Sequence, residues 1–538
     1  MNGLLIDSDD EYMEVCTDDV SDAVVPWVKQ FQTMGRNCQK TALKTLVETL
    51  GFQHIRQLRR IIEPQLQKDF LAVLPREIAL LILSNLTPED ICRASLVSTT
   101  WYSLCNDDWL WRMKCDENGL FRSLVNTTPS VRVEGGWAST AFGKVTLEME
   151  HLSGSALEDR RKERERPFGP IYSLSKYKSL FLRQCRINAN WRKNPIGGSC
   201  LLRGHEEHVI TCLQINGDRI VSGSDDNSLK VWSISKGKLL FTLVGHTGGV
   251  WTSQISKDGR YIMSGSTDRT VKVWSGIDGS LLYTLNGHTS TVRCMSLHGT
   301  ILVSGSRDAT LRVWCVVTGT CLQHLTGHQA AVRCVQFDGR RAISGAYDFN
   351  VKVWDIITGK CIHTLQGHTN RVYSLLFDSE RELVVSGSLD TTIRVWDISR
   401  GACLSVLNGH TSLTSGMQLR GDILVSCNAD TSVRVWDISK GACVHRLDGV
   451  NGHTSAITSL QFLDDRLVAT SSDDGCVKLW DIEKGVFIRN IICLKTRNNG
   501  GCVWRLRAAE NMLACAIGSR NGTEDTKLIL FDFDASFA

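Results

Sequence analysis

The sequence predicts a multidomain chain, an all-α amino-terminal region followed by an all-β propeller that takes up most of its 538 residues. Three observations lead there. Gly-His pairs recur at His205, His246, His288, His328, His368, His410 and His453, 40 to 43 residues apart, a period that belongs to propeller blades or to helical-repeat units. Between these fixed points run short β-type segments such as "TILVSGS" and "TLRVW", broken by Gly and Asp turn signals, which decides for blades. Upstream, residues 70–115 carry a helical apolar period instead.

Composition narrows the function classes. The formal net charge is +4, too small for bulk electrostatics to favour a nucleic-acid or membrane-surface protein, so any basic site must be local. The 20 cysteines are scattered through apolar patterns without a CxxC pair, which reads as reduced thiols in an intracellular protein and not as a disulfide or metal framework. The acidic opening "MNGLLIDSDDEYMEVCTDDVSD" is unlike a secretory signal, and no apolar run approaches the roughly 18 residues a membrane span needs. No metal site and no cofactor are expected.

In chain order, residues 1–23 are expected to be an acidic disordered tail. Residues 24–66 should form two or three helices, with amphipathic stretches such as "ALKTLVETL" that have no evident core of their own. In residues 70–115, "LTPED" supplies a helix start, with Thr87 as N-cap, Pro88 at the first helical position and acidic residues in the first turn. This small bundle is apolar enough to want a partner. Residues 116–195 read as a linker. Its "RRKERER" fits a nuclear-import signal or a solvated charged stretch equally, and "SLFLRQCRINANWRK" is expected to supply a helix docking onto the propeller. Both nucleus and cytoplasm are expected compartments.

The propeller is expected over residues 196–538. Each Gly-His histidine is followed 20 to 22 residues later by an Asp: Asp226, Asp268, Asp308, Asp348, Asp390, Asp430 and Asp474. Six residues further on stands Trp232, Trp274, Trp314, Trp354, Trp396, Trp436 or Trp480. Four residues before each Asp is Ser222, Ser264, Ser304, Ser344, Ser386, Ser426 or Thr470. Seven metal sites in one array are implausible, whereas a buried His, Ser, Asp and Trp can satisfy one another in every unit. An eighth blade is expected from "VWRLRAAENMLACAIGSRNGTEDTKLILFDFD", where Asp525 is followed six residues later by Phe531 but no Gly-His precedes. The orphan strand in "SCLLRGH" would complete that blade and close the ring, leaving no open edge.

Other columns vary, and there the fold is not the constraint. The fifth residue after each Gly-His histidine is Ile210, Trp251, Arg293, Arg333, Tyr373, Ser415 or Thr458, and the residue before each turn Asp is Asp225, Thr267, Arg307, Tyr347, Leu389, Ala429 or Asp473. Both columns should open on one face. Arg293, Arg307 and Arg333 then meet around the channel mouth, with Arg269 one blade earlier and Trp251, Tyr347 and Tyr373 beside them. Guanidinium groups that converge without carboxylates repel one another. An absent anion explains such a cluster, unless these are ordinary solvated arginines, and phosphate suits the fork-shaped donors of Arg.

The fixed columns resemble the WD-repeat family over about residues 199–534, whose blades are four-stranded sheets around a channel. Residues 70–115 resemble the F-box, in the Leu74-Pro75 opening, the Ile78, Leu81, Ile82 and Leu86 face, Leu96, Val97 and Trp101. Together the two resemble substrate receptors of SCF (Skp–cullin–F-box) ubiquitin ligases, most closely the archipelago-type receptors, through "GHTSTVRC", "SGSRDATLRVW", "AAVRC" and "SGAYDF". That resemblance implies a non-catalytic receptor that binds phosphorylated Thr-Pro degrons and promotes ubiquitination and proteasomal degradation of their owners. Its phosphate-binding residues would be Arg293, Arg307, Arg333 and Tyr347, with Arg269, Trp251, Thr267, Ser290, Thr291, Tyr373, Trp504 and Arg520 as further contacts. It also implies a Skp-type adaptor, and through it a cullin ligase, bound by Leu74, Pro75, Ile78 and Leu86, and a homodimer formed by residues 24–66. Two rivals remain: a scaffold for unmodified peptides, and a nucleic-acid reader using the basic face, which a steep salt dependence would reveal.

Overall fold

In the computed structural model each repeat folds as one four-stranded antiparallel sheet, and the described residues form eight such sheets. Those residues are 24–66, 69–118, 175–193, 196, 198–494, 501–509, 511–519 and 526–534. The acidic stretch 1–23, "RRKERER", Arg520 and Asp525 lie outside them. Blades one to seven span residues 210–243, 250–285, 292–325, 332–365, 372–407, 414–447 and 457–493. The eighth consists of β30 (Gly501–Ala508), β31 (Met512–Ser519) and β32 (Lys527–Asp532), completed by β1 (Gly198–Arg203). β1 runs antiparallel to β32 with Gly198 opposite Asp532 and Arg203 opposite Lys527. The orphan strand therefore closes the ring as expected, and β2 (Ile210–Asn216) meets β30 across the junction.

The sequence of each blade follows from where its strands lie. In blade three, β11 (Ile301–Ser306) is buried along almost its whole length and β12 (Leu311–Cys315) on its Leu311, Val313 and Trp314 positions, whereas the outer β13 (Thr320–Leu325) is mostly exposed. The middle strands are covered on both faces by neighbouring blades and so read as continuous apolar or small runs. Val303, Leu311, Val313 and Leu325 pack against Val332, Val335, Phe337 and Trp354 of the next blade, each such burial worth about 1.5–3 kcal/mol relative to exposure. Gly305 marks the closest approach: a Cβ there would lie 2.7 Å from both Cys294 Sγ and Val332 Cγ1.

The fixed polar columns form one hydrogen-bonded chain in each of the first seven blades. The Trp indole lies 2.8–2.9 Å from the Ser or Thr hydroxyl. That hydroxyl lies 2.7–2.9 Å from His Nε2, and His Nδ1 lies 2.6–3.0 Å from the Asp carboxylate. Indole can only donate, so the hydroxyl accepts from it and passes its own proton to Nε2, which leaves the Nδ1–H for the carboxylate. Every member is satisfied, which is what burial of polar groups requires. In blade eight, Phe531 stands opposite Leu513 as Trp314 stands opposite Leu302, and Cys515 replaces the serine. Both are buried in an apolar cluster, and no histidine is needed.

The chain divides into two compact units, residues 1–105 and 106–538. In the first, residues 24–66 form three helices, α1 (Val24–Thr33), α2 (Arg36–Thr49) and α3 (Phe52–Leu66). α1 and α2 contain no buried residue, and Trp27, Leu43, Val47, Phe52 and Ile61 are exposed. There follow α4 (Phe70–Val73), α5 (Arg76–Ser84), α6 (Pro88–Ala94) and α7 (Thr99–Cys105) around a core of Leu71, Ala79, Leu80, Leu83, Ile91 and Leu104. Thr87 caps α6 by accepting from the Asp90 N–H at 3.2 Å, with Pro88 at the first helical position.

In the second unit α8 (Asp108–Glu117) packs on α9 (Lys176–Arg192) through Trp111 and Phe181, whose rings are 5.4 Å apart. α9 is the helix expected to dock on the propeller. Its Ile187 and Trp191 join the apolar cluster of blades seven and eight, Arg183 and Arg186 both pair with Asp534, and Asn190 donates to the Phe533 carbonyl at 2.6 Å.

Candidate anion-binding site at the channel mouth

The fifth residue after the histidine is, in structural terms, a β-bulge. The register of β10 (Val292–His298) against β11 shifts between Val292 and Cys294, leaving Arg293 as the extra residue. Blade four bulges at Arg333, blade five at Tyr373, blade two at Trp251 and blade eight at Trp504. A bulge re-aims the side chain it carries, and repeated around the ring it turns one variable side chain per blade toward the mouth. In blade one the bulged residue is Thr211 and not Ile210, because the loop after His205 is one residue longer. The turn column joins it through the backbone: the Arg307 N–H donates to the Thr291 carbonyl at 2.9 Å, Tyr347 to Ala331 at 2.9 Å and Thr267 to Gly249 at 3.0 Å.

These contacts bring Trp251, Thr267, Thr291, Arg293, Arg307, Arg333 and Tyr347 together around a cavity of about 470 Å³, completed by Ala331, Val332 and Arg371. Below it a second cavity of about 650 Å³ fills the channel, sharing Trp251, Arg293 and Arg333 and adding Arg505 and Arg507. Among the described residues neither lining contains a carboxylate. Aromatic faces hold the guanidinium groups instead: Arg293 lies 3.9 Å over the Trp251 ring, Arg333 5.7 Å over Tyr373 and Arg371 4.9 Å over Tyr347, an arrangement that orients a cation without neutralising it.

The electrostatics match. Burial, and then the charge of Arg333, pull the Arg293 guanidinium below its ordinary value. Confinement by the channel walls, and then the charges of Arg507 and Arg333, push Arg505 down to about 10. Burial, and then the neighbouring Tyr373, raise the Tyr347 phenol, so it stays a neutral donor. Arg333 Nε is buried without a protein hydrogen-bond partner and adds one more donor to the cavity wall. The cavity thus offers several charge-assisted donors and no acceptor of opposite charge, the chemistry of a site for a dianion such as a phosphate monoester.

The remaining sequence-predicted residues lie outside the lining. Ser290 gives its carbonyl to Ser306 Oγ at 3.1 Å. Tyr373 lies 5.3 Å from Tyr347 with its ring tilted by 44°, and carries the Arg333 guanidinium over its face. The Trp504 ring covers Gly518, where a Cβ would collide with it. Arg269 is exposed in the tight turn after Asp268 at φ 73°, a left-handed position filled by Asn227, Ala309, Phe349 and Thr391 in other blades. Arg520 lies outside the described residues. Sequence reasoning missed Arg371, Arg505 and Arg507. A signal existed for Arg371: it is the third residue after its Gly-His histidine, in a column with Thr291 and Ala331.

In the first unit, Pro75 and Ile78 are exposed and Leu74 and Leu86 half-buried. Ile78, Leu81 and Ile82 line the outer face of α5, while Ala79, Leu80 and Leu83 fill the core. Trp101 is tied inward, donating to Asp69 at 2.8 Å.

Known proteins account for both parts. Residues 71–117 match the F-box-like family, and residues 198–233, 237–275, 279–315, 319–355, 359–397, 401–437 and 441–481 match the WD domain, G-beta repeat. F-box/WD repeat-containing protein sel-10 of Caenorhabditis elegans is 55% identical over 522 residues, covering 96% of this chain and 88% of that protein. A probable E3 ubiquitin ligase complex SCF subunit, sconB of Arthroderma otae, is 27% identical over 37% of this chain and 28% of its own length. Among solved structures, the computationally designed Ika8 protein superposes with a TM-score of 0.54 at 35% identity, over 61% of this chain and 98% of its own. Helices of the F-box type, a ring of WD blades and near-full-length similarity to a protein built the same way together place this chain in the F-box/WD-repeat family.

Proposed function

We propose that the chain is the substrate-recognition subunit of an SCF-type ubiquitin ligase, in which the propeller holds phosphorylated Thr-Pro degrons and the F-box docks a Skp-type adaptor and through it a cullin. The chain itself performs no chemistry in this reading; it brings a phosphorylated protein to a ligase that transfers ubiquitin. One observation carries the reading: among the described residues, Arg293, Arg307 and Arg333, from two adjacent blades, converge with Tyr347 on a carboxylate-free cavity. A phosphothreonine side chain supplies the missing charge and acceptors, and the open mouth leaves room for the peptide on either side. Trp251, Thr267 and Thr291 then border the flanking residues. The exposed face of α5 with Pro75 supports the adaptor contact, and the exposed apolar residues of α1–α3 support a homodimer. Such a receptor would act in nucleus and cytoplasm, wherever its phosphorylated targets reside.

A phosphopeptide array probed with the purified propeller tests the reading. Binding confined to phosphorylated Thr-Pro sequences, and abolished by phosphatase treatment of the peptides, is the expected result. Equal binding to unphosphorylated peptides, or displacement by generic DNA or RNA, would replace it with one of the two rivals.

A further inference from the structure

Blade seven departs from its neighbours at two cysteines. β28 (Cys476–Asp481) and β29 (Val486–Cys493), its third and outer strands, pair antiparallel with Cys476 opposite Cys493. Beyond that pair the Leu494 N–H donates to the Gly475 carbonyl at 3.1 Å. Hydrogen-bonded and non-hydrogen-bonded pairs alternate along an antiparallel ladder, so Cys476 and Cys493 form a non-hydrogen-bonded pair, where Cα atoms approach most closely and side chains lean together. Their sulfur atoms lie 2.6 Å apart.

The fold does not ask for these thiols. The position of Cys476 is held in five other blades by Ser228, Thr270, Thr310, Thr392 and Ser432, and in blade four by Asn350. Each of those hydroxyls donates to the turn Asp of its own blade, at 2.7 Å throughout. Cys476 retains the backbone half of that motif, its N–H donating to Asp474 at 2.9 Å, while its side chain turns to Cys493. The position of Cys493 is held in other blades by Val244, Asn286, Thr326, Gln366, Asn408 and Asp448. Two unrelated columns have changed to cysteine in one blade, and they are the two that face each other.

We propose that Cys476 and Cys493 form a reversible disulfide that staples the seventh blade when the protein meets a peroxide. Cys493 is exposed and Cys476 buried, which assigns the steps. The Cys493 thiolate attacks one oxygen of the peroxide and becomes a sulfenic acid, releasing water. The Cys476 sulfur then displaces the hydroxyl of that sulfenic acid, releasing a second water. Two thiols and one hydrogen peroxide give one disulfide and two waters, the sulfurs losing the two electrons that the peroxide gains. Burial, and then the proximity of Cys493, raise the Cys476 thiol, so it waits in protonated form as the resolving partner. The cross-link spans 17 residues and fixes the end of β29 just before the chain enters β30, the strand that carries Trp504 and meets β2 at ring closure. Closing such a loop stabilises mainly by restricting the unfolded chain.

Full-length protein, reduced and then exposed to stoichiometric hydrogen peroxide, should yield on non-reducing digestion a single linked peptide containing Cys476 and Cys493. A thiol reductant should abolish it. The oxidised protein should melt a few degrees above the reduced form, and Cys493→Ser should show neither the link nor the rise. Cys476→Thr restores the hydroxyl that other blades use, keeps the fold and should behave in the same way. Recovery of Cys493 as sulfinic acid with Cys476 still a thiol, or linkage of either to a different cysteine, would overturn the proposal. A correct link without any rise in melting temperature would overturn its stapling role.

Discussion

Arg307 and Asp308 are neighbours in the chain with opposite duties. Asp308 accepts from His288 Nδ1 at 3.0 Å, from the Thr289 N–H at 2.8 Å and from the Thr310 N–H and hydroxyl at 2.9 and 2.7 Å. Asp308→Ala leaves a buried histidine donor unpaired, a cost of about 1–3 kcal/mol for that group alone, and should lower the melting temperature. Arg307 is exposed and shapes only the cavity. Arg307→Ala should leave melting unchanged but deprive a bound, partly desolvated phosphate of a donor, at about 2–5 kcal/mol, or roughly thirty to a few thousand times in affinity. Arg307→Lys should also weaken binding, because a point charge cannot replace the two-pronged guanidinium. Melting curves and phosphopeptide titrations of the three variants check this, and an Arg307→Ala protein that melts like Asp308→Ala would contradict it. At this scale the repeat made Arg293, Arg307 and Arg333 legible, since comparing copies separates what every blade needs from what one blade has. Arg505 and Arg507 were not legible, because they belong to the eighth blade, whose missing Gly-His leaves its columns without a fixed point for alignment.

A β-bulge at the head of each innermost strand converts sequence variation into a binding face, and no residue type announces it. The alternation of apolar and polar residues predicts a strand, but the one-residue slip that puts Thr211 and not Ile210 in the column depends on loop length, which only the paired register reveals. The helices divide similarly. The Thr87-Pro88 start of α6 was readable from capping chemistry, whereas the split of residues 70–115 between two compact units was not, because it depends on α8 packing against α9 some 60 residues later. The outer face of α5 leads to a prediction: replacing Leu74, Pro75 and Ile78 together by alanine should abolish co-purification with a Skp-type adaptor, while deletion of residues 196–538 should not. Retained adaptor binding in the triple variant would contradict the docking face. For α1–α3, which expose Trp27, Leu43 and Phe52, with no buried residue in α1 or α2, sedimentation should give twice the chain mass for the full protein and a monomer for a chain beginning at residue 68. Equal monomeric masses would refute the dimer.

Across the whole molecule, the same network repeated in seven blades makes stability depend on acidity. Asp226, Asp268, Asp308, Asp348, Asp390, Asp430 and Asp474 all have carboxyls below their ordinary value. Burial alone would raise them, but the hydrogen bonds each accepts from its histidine and turn outweigh it. A carboxyl depressed on folding contributes stability that is complete above the unfolded value, near 3.9, and is lost as pH falls through the folded value. The melting temperature should therefore show no loss from these carboxyls at about pH 5 and fall steeply below about pH 4, the seven blades that carry the network contributing together. A melting temperature indifferent to acid down to about pH 2 would contradict the network's role. The ring, the bulges and the variable columns serve one claim, that the channel mouth recognises a phosphate. Calorimetric titration of the purified protein with one Thr-Pro peptide, phosphorylated and unphosphorylated, tests it most directly. If two or more charge-assisted bonds to the phosphate are made, each worth about 1.5–3 kcal/mol, the phosphorylated peptide should bind at least about a hundred times more tightly. Equal affinity for the two forms would contradict the account.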